Sequence, residues 1–74
     1  MKRSEFEIAV AEEFGDAYGR VLVNDLSLPG LGGRTAREGM AGGADVRSVW
    51  LALCDEMDVP VSRRAGVGRP EPRS

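Results

Sequence analysis

The chain is expected to be all-α, a compact bundle of about four short helices with a disordered C-terminal tail. Three observations predict this. Apolar side chains recur three and four residues apart in several runs, the spacing that lines one side of an α-helix. Serine, threonine or aspartate stands at the head of those runs, twice with a glutamate three residues on. Glycine and proline separate the runs, and nothing reads as a strand or an internal repeat.

The first helix is predicted over Glu5–Phe14. Ser4-Glu5-Phe6-Glu7 has capping-box spacing, and Phe6, Val10 and Phe14, with Ala9 alongside, form an apolar stripe. Gly15 breaks it, and Asp16 is expected to cap a second helix over Ala17–Leu26, with Tyr18, Val21, Leu22 and Leu26 inward. Ser27 to Arg34, with Pro29, Gly30, Gly32 and Gly33, reads as a loop anchored by Leu28 and Leu31. Thr35-Ala36-Arg37-Glu38 is a second capping box and opens a short helix over Ala36–Ala41, with Ala36 and Met40 inward, ended by Gly42-Gly43. Asp45 caps the fourth helix, Val46–Met57, whose stripe of Val46, Val49, Trp50, Leu53, Cys54 and Met57 is the cleanest in the chain. Pro60 prevents its continuation. The helical domain is therefore residues 1–60, and residues 61–74, rich in Arg, Gly, Pro and Ser, are expected to form a disordered basic tail.

With 74 residues the chain makes one domain at most, and a chain this short buries only about 60% of the surface its unfolded form exposes. Cys54 is the only cysteine, so no intrachain disulfide adds stability. Without histidine, one thiol cannot build a tetrahedral metal site, and no metal or cofactor is expected. Self-association or a partner protein is the open route to further stability. Glu5 and Glu7 interrupt the apolar region a signal peptide needs, and no run approaches the ~20 apolar residues of a membrane span. A free cysteine without an export signal fits a reducing cytoplasm.

The net charge of −2 hides an uneven distribution. Between Ser4 and Pro60 eleven acidic residues face four arginines, a balance of −7, while Lys2 and Arg3 at one end and the tail beyond Pro60 are basic. Asp55, Glu56 and Asp58 crowd the end of the fourth helix, where the macrodipole disfavours negative charge. Three readings stay open for them: even solvation, local compensation by Arg63 and Arg64, or a surface for a basic partner. No EF-hand spacing is present, which argues against calcium. Ile8 lies ~200° around its helix from Phe6 and Leu51 falls outside the main stripe of the last helix, so both are candidates for a partner-facing patch.

The third and fourth helices have helix-turn-helix spacing. Gly43 stands at the turn, Val49 six residues after it, and Gly39 four before it is small enough for close helix contact. Read that way, Val46 to Met57 would enter a major groove, with Arg34, Arg47, Arg63 and Arg64 as candidate nucleic-acid contacts. Phosphate contacts come from lysine and arginine, and this helix offers only Arg47 near its start, so an acidic body argues against nucleic acid. Gly30, Gly32 and Gly33 follow a helix and lack a P-loop lysine, which makes a connector rather than a phosphate cradle. Arg34 could hold an anion at the start of the third helix. Cys54 and Trp50 lie on the apolar stripe and read as packing. With no histidine and Lys2 as the sole lysine, catalysis is not expected, since carboxylates such as Glu12 and Glu13 would need a dry cleft to act as acid or base.

The segments Phe14-Gly15-Asp16-Ala17-Tyr18, Leu31-Gly32-Gly33-Arg34-Thr35 and Val49-Trp50-Leu51-Ala52-Leu53-Cys54-Asp55-Glu56-Met57-Asp58-Val59-Pro60 carry a resemblance. Together they resemble the short actinobacterial proteins catalogued as domain of unknown function 3046, over most of Met1 to Arg64. The resemblance implies a compact helical protein, often encoded near the regulator of recombinase A, with no established activity and no catalytic residues to carry over. That neighbourhood hints at DNA repair by association only. The reading is therefore a non-enzymatic protein-interaction module, tied by that hint to DNA repair, whose acidic surface meets an unidentified basic partner. Nucleic-acid binding through the helix-turn-helix-like pair and the arginine tail is the alternative.

Overall fold

In the computed structural model, which describes residues 1–64, four helices wrap around the Phe6–Trp50 contact. Helix α1 is Arg3–Phe14, α2 Asp16–Asp25, α3 Ala36–Ala41 and α4 Val46–Glu56. The rings of Phe6 on α1 and Trp50 on α4 meet edge to face at 6.3 Å between centroids, the arrangement their quadrupoles favour. Around them Ala9, Val10, Leu22, Leu28, Ala36, Val49, Leu53, Cys54 and Val59 are buried. Helix α1 packs on α2, α2 on α3, α3 on α4, and α4 returns to α1.

The start of α1 differs from the capping box expected at Ser4. Lys2 is the N-cap, and its backbone N–H donates to Glu5 Oε1 at 2.7 Å. A lysine side chain has no acceptor to offer in return, so only half of a box forms. Glu5 reaches back where Glu7 was expected to, and the helix gains its first turn at Arg3. Gly15 separates α1 from α2 as expected. Its φ of 90° lies in a region open mainly to glycine. Its N–H closes α1 on the Ala11 carbonyl, and its own carbonyl accepts from Gly19 N–H to open α2. Asp16 is thus the first residue of α2 and not its cap.

The inward face of α2 also corrects the sequence reading. Tyr18 and Val21 are about half exposed, at 54% and 52%. Leu22 and Leu26 face the core as expected, and Gly19 and Val23 take the places expected for Tyr18 and Val21. This stripe begins at a glycine that carries no apolar signal. A Cβ built on Gly19 would lie 2.6 Å from Val10 Cγ1 and 3.3 Å from the Val10 carbonyl oxygen. The missing side chain is what lets α2 close on α1.

The loop from Ser27 holds a small piece of the β-structure that the sequence did not predict. Strands β1, Ser27–Leu28, and β2, Arg34–Thr35, pair antiparallel in the register Ser27 to Thr35 and Leu28 to Arg34. Between them Pro29–Leu31 forms a 3-10 turn. Leu28 is fully buried, and pairing satisfies backbone groups that the loop carries into the interior with it. A two-residue ladder is too short to leave any alternation in the sequence. The anchoring by Leu28, and by partly buried Leu31, is as expected.

Helix α3 opens on the predicted box, with Thr35 Oγ1 accepting from Glu38 N–H at 3.1 Å and Glu38 Oε1 from Thr35 N–H at 2.9 Å. Asp45 caps α4 by accepting from both N–H and Oγ of Ser48. Both helices end in the same motif. After α3, Gly43 at φ 93° donates to the Met40 carbonyl and Ala44 to that of Gly39. After α4, Asp58 at φ 57° donates to the Asp55 carbonyl and Val59 to that of Cys54. These are Schellman closures, and the apolar residue after the left-handed position is the one that turns inward. That accounts for the burial of Val59, which no stripe predicted.

The first four residues of the tail expected from residue 61 are ordered against the body. Val61–Arg63 forms a 3-10 turn, and Arg64 is tied to the body by hydrogen bonds. The remainder of that expected tail, with Arg69 and Arg73, lies outside the described residues. Among the described residues no helix is long and apolar enough to cross a membrane.

Candidate functional site

At the acidic end of α4, Asp55 is engaged by its own chain. Asp55 Oδ1 accepts from Arg64 Nη1, and Arg64 Nε donates to the Val59 carbonyl at 2.7 Å. The Arg64 carbonyl in turn accepts from the Trp50 indole N–H. Asp58 holds the left-handed position that closes the helix. Local compensation, one of the three explanations open for these acids, thus holds for Asp55. Arg63 goes elsewhere, forming a two-pronged pair with Glu13 of α1 at 2.9–3.2 Å. That contact raises the Arg63 guanidinium pKa through its hydrogen bond and charge interaction with Glu13. Of the expected acidic patch, Glu56 and Asp58 are exposed and have no ion pair among the described residues. Arg63 and Arg64, candidate nucleic-acid contacts, are thus paired with Glu13 and Asp55.

Of the two apolar candidates, Ile8 is exposed at 48%, while Leu51 is partly buried against the core. Arg34 on β2 and Arg47 on α4 are both exposed. Gly39, expected to bring two helices together, instead makes room chiefly for a loop residue. A Cβ there would lie 2.9 Å from Leu31 Cδ1 and 3.7 Å from Val49 Cγ2.

A different set of residues lines a groove of about 510 Å³ between α1, α2 and α3. Its floor is apolar, with Val23 and Met40 half-buried at the surface and Phe6 and Val10 beneath them. Its rim carries Arg3 and Glu7 from α1, Asp16, Arg20 and Asn24 from α2, and Arg37 from α3. Arg3 and Glu7 pair across one helical turn at 3.8 Å with both side chains more than half exposed, an arrangement worth little in water. Arg37 Nη1 donates to Asn24 Oδ1 at 3.4 Å, a long bond. Neither Arg20 nor Arg37 has a carboxylate partner among the described residues. Sequence reasoning missed this cluster. Arg20 and Asn24 stand four apart, so one face of α2 was legible, but only tertiary packing brings Arg37 and Arg3 beside them.

The groove lining contains no thiol, hydroxyl, imidazole or ammonium group. Cys54 is fully buried, and burial pushes its thiol pKa up to about 11, against a smaller opposing pull from Arg64. A thiol so placed is a packing group rather than a nucleophile. Among the described residues no three His, Cys, Asp or Glu side chains gather as a metal site. What the groove can do is bind, with guanidinium forks suited to carboxylate or phosphate oxygens above an apolar floor.

No curated protein and no solved structure matches the chain. A family profile matches residues 1–62, a span that contains all four helices and every groove residue. The chain belongs to that family, described as protein of unknown function (DUF3046).

Proposed function

We propose that this chain is a non-catalytic module that binds another protein, and that the groove between α1, α2 and α3 is its docking surface. One observation carries the reading: an apolar floor is rimmed by two guanidinium groups with no carboxylate partner among the described residues. A basic partner meeting Asp55, Glu56 and Asp58 finds less support, because Asp55 is paired with Arg64. Nucleic acid is also the poorer occupant. Side chains of residues 1–64 carry more acids than bases, and a long polyanion feels that whole field. The DNA-repair link implied by the family resemblance names a process, and no residue of the groove bears on it.

The test is site-specific photocrosslinking in the native host, with the crosslinking side chain placed at Asn24 in the groove or at Arg47 on the exposed part of α4. A discrete protein adduct from position 24 that is absent from position 47 is expected. No discrete adduct from position 24, or the same adducts from both positions, overturns the reading.

A further inference from the structure

Resting on that reading of the groove as a protein-docking surface, we infer that its occupant is an acidic amphipathic helix of a second protein. The apolar side of that helix lies on Val23 and Met40, and its carboxylates reach Arg20 and Arg37.

The argument for a helix comes from the groove walls. All three are α-helices, whose backbone groups are spent on their own hydrogen bonds, and neither strand of the two-stranded ladder lines the groove. An extended peptide would lay unpaired N–H and C=O groups against apolar side chains, which is costly. A helix brings its backbone already satisfied and offers apolar anchors three and four residues apart. The floor asks for such anchors.

Charge sets the chemistry of the other face. Arginine binds carboxylate through two parallel N–H···O bonds, as Arg63 does here with Nε on Glu13 Oε1 and Nη2 on Glu13 Oε2. Arg20 and Arg37 have the same capacity and no carboxylate to use it on among the described residues. Glu7 and Asp16 on the same rim decide between a peptide and a polyphosphate. A phosphate backbone would set its charges against these carboxylates as well as on the arginines. A helix can place its acids toward Arg20 and Arg37 and leave neutral or basic side chains toward Glu7 and Asp16.

The experiment selects from a displayed library of random peptides of about 16 residues, roughly four helical turns. The full-length protein serves as bait, beside Arg20→Glu/Arg37→Glu and Arg20→Lys/Arg37→Lys forms, each checked for native circular dichroism. The unsubstituted chain is expected to enrich peptides with Asp or Glu three or four residues from paired apolar positions. The Glu form is expected to enrich Lys or Arg there. A synthetic peptide from the first selection should bind the unsubstituted chain at least about tenfold more tightly than the Glu form, with the Lys form between them. Neutral or basic peptides from the unsubstituted chain, or no enriched class, overturn the inference. If position 24 nevertheless yields its adduct, the docking reading survives and only the acidic helix fails. Two controls expose the other occupants. Saturable binding of a labelled DNA duplex that the Glu form loses assigns the groove to nucleic acid. A dimer in sedimentation that the Glu form abolishes assigns it to a second copy of this chain, and either result overturns the inference.

Discussion

Arginine does opposite work in two regions of this molecule. Beyond α4, Arg63 and Arg64 fasten the chain to itself: one grips Glu13, while the other bonds Asp55 and the Val59 carbonyl and offers its own carbonyl to Trp50. Across the groove, Arg20 and Arg37 meet no acid among the described residues. The difference lies in what surrounds each guanidinium. The fastening pair has a buried indole N–H to satisfy and a helix C-terminus whose exposed carbonyls attract cations. The groove pair sits above half-buried Val23 and Met40, where nothing in the described chain uses its donors. Substitutions in the first region should therefore cost stability, and those in the second should cost binding.

The largest expected effect breaks the fastening. A chain ending at Pro60, compared with one ending at Gly66, removes the acceptor for the Trp50 indole and both ion pairs. An unsatisfied buried donor costs about 1–3 kcal/mol, so the urea midpoint should fall by an amount equivalent to about 2–3 kcal/mol. Arg20→Ala/Arg37→Ala should stay within about 0.5 kcal/mol of the unsubstituted chain, as exposed substitutions usually do. Equal losses in the two experiments would erase the distinction between the regions.

Next comes the contact beneath the groove. Gly19→Ala places a methyl 2.6 Å from Val10 Cγ1, and Val10 is a buried β-branched side chain with little rotamer freedom. Overpacking costs about 1–3 kcal/mol, and alanine's better helix propensity returns up to about 1 kcal/mol. A net loss near 1–2 kcal/mol is expected in chemical denaturation. In a double-mutant cycle, Gly19→Ala should cost less once Val10→Ala has removed the clashing methyl. Simple additivity would mean that the helices separate by another route.

The fastened region also carries a pH signature. Burial holds the Cys54 thiol pKa at about 11, above its ordinary 9.0. The unfolded chain therefore loses this proton first. The thiol's contribution is fully present below pH 9, declines as the pH rises, and is gone above about 11, a span worth on the order of 2 kcal/mol. Denaturation midpoints should fall across that window in the natural chain. They should fall less steeply in Cys54→Ala, even though its stability at neutral pH is lower from the cavity it leaves.

Local signals carried most of the fold into the sequence. Thr35 with Glu38, Asp45 with Ser48, and the Val49–Trp50–Leu53–Cys54 stripe are chemistry within one or two turns, and each lies where periodicity and capping place it. The failures share a cause. The face of α2 was misassigned in part because Gly19 contributes by absence, and Val59 was missed because its burial follows from a six-residue closure, Cys54 to Val59. The groove was illegible for a stronger reason. Arg3, Arg20 and Arg37 sit 17 residues apart in sequence, on three helices, and only the packing of α1, α2 and α3 makes them neighbours. The acidic run at Asp55, Glu56 and Asp58 was conspicuous in sequence, and one of its three carboxylates, Asp55, is paired with Arg64. A charge cluster shows where charge is, not whether it is free.

The smallest effect separates a closing residue from a contact residue at the ends of α3 and α4. Gly43 and Asp58 occupy the same left-handed position in the same motif, but one has a Cβ and the other has none. Space does not constrain Gly43, since a Cβ there would meet nothing within 4 Å. Gly43→Ala should therefore cost about 1 kcal/mol through backbone conformation alone. Asp58→Gly should move the other way. It relieves the left-handed penalty and removes a negative charge from a helix C-terminus, while the extra freedom of the unfolded glycine takes part of the gain back. A net stabilisation of about 0.5 kcal/mol is expected in thermal or urea melts. Peptide binding in the groove should be unchanged, because Asp58 does not line it. If Asp58→Gly instead leaves stability unaltered and abolishes a partner interaction, the acid at the end of α4 is a contact after all, and the division between a fastened region and a presenting one would have to be redrawn.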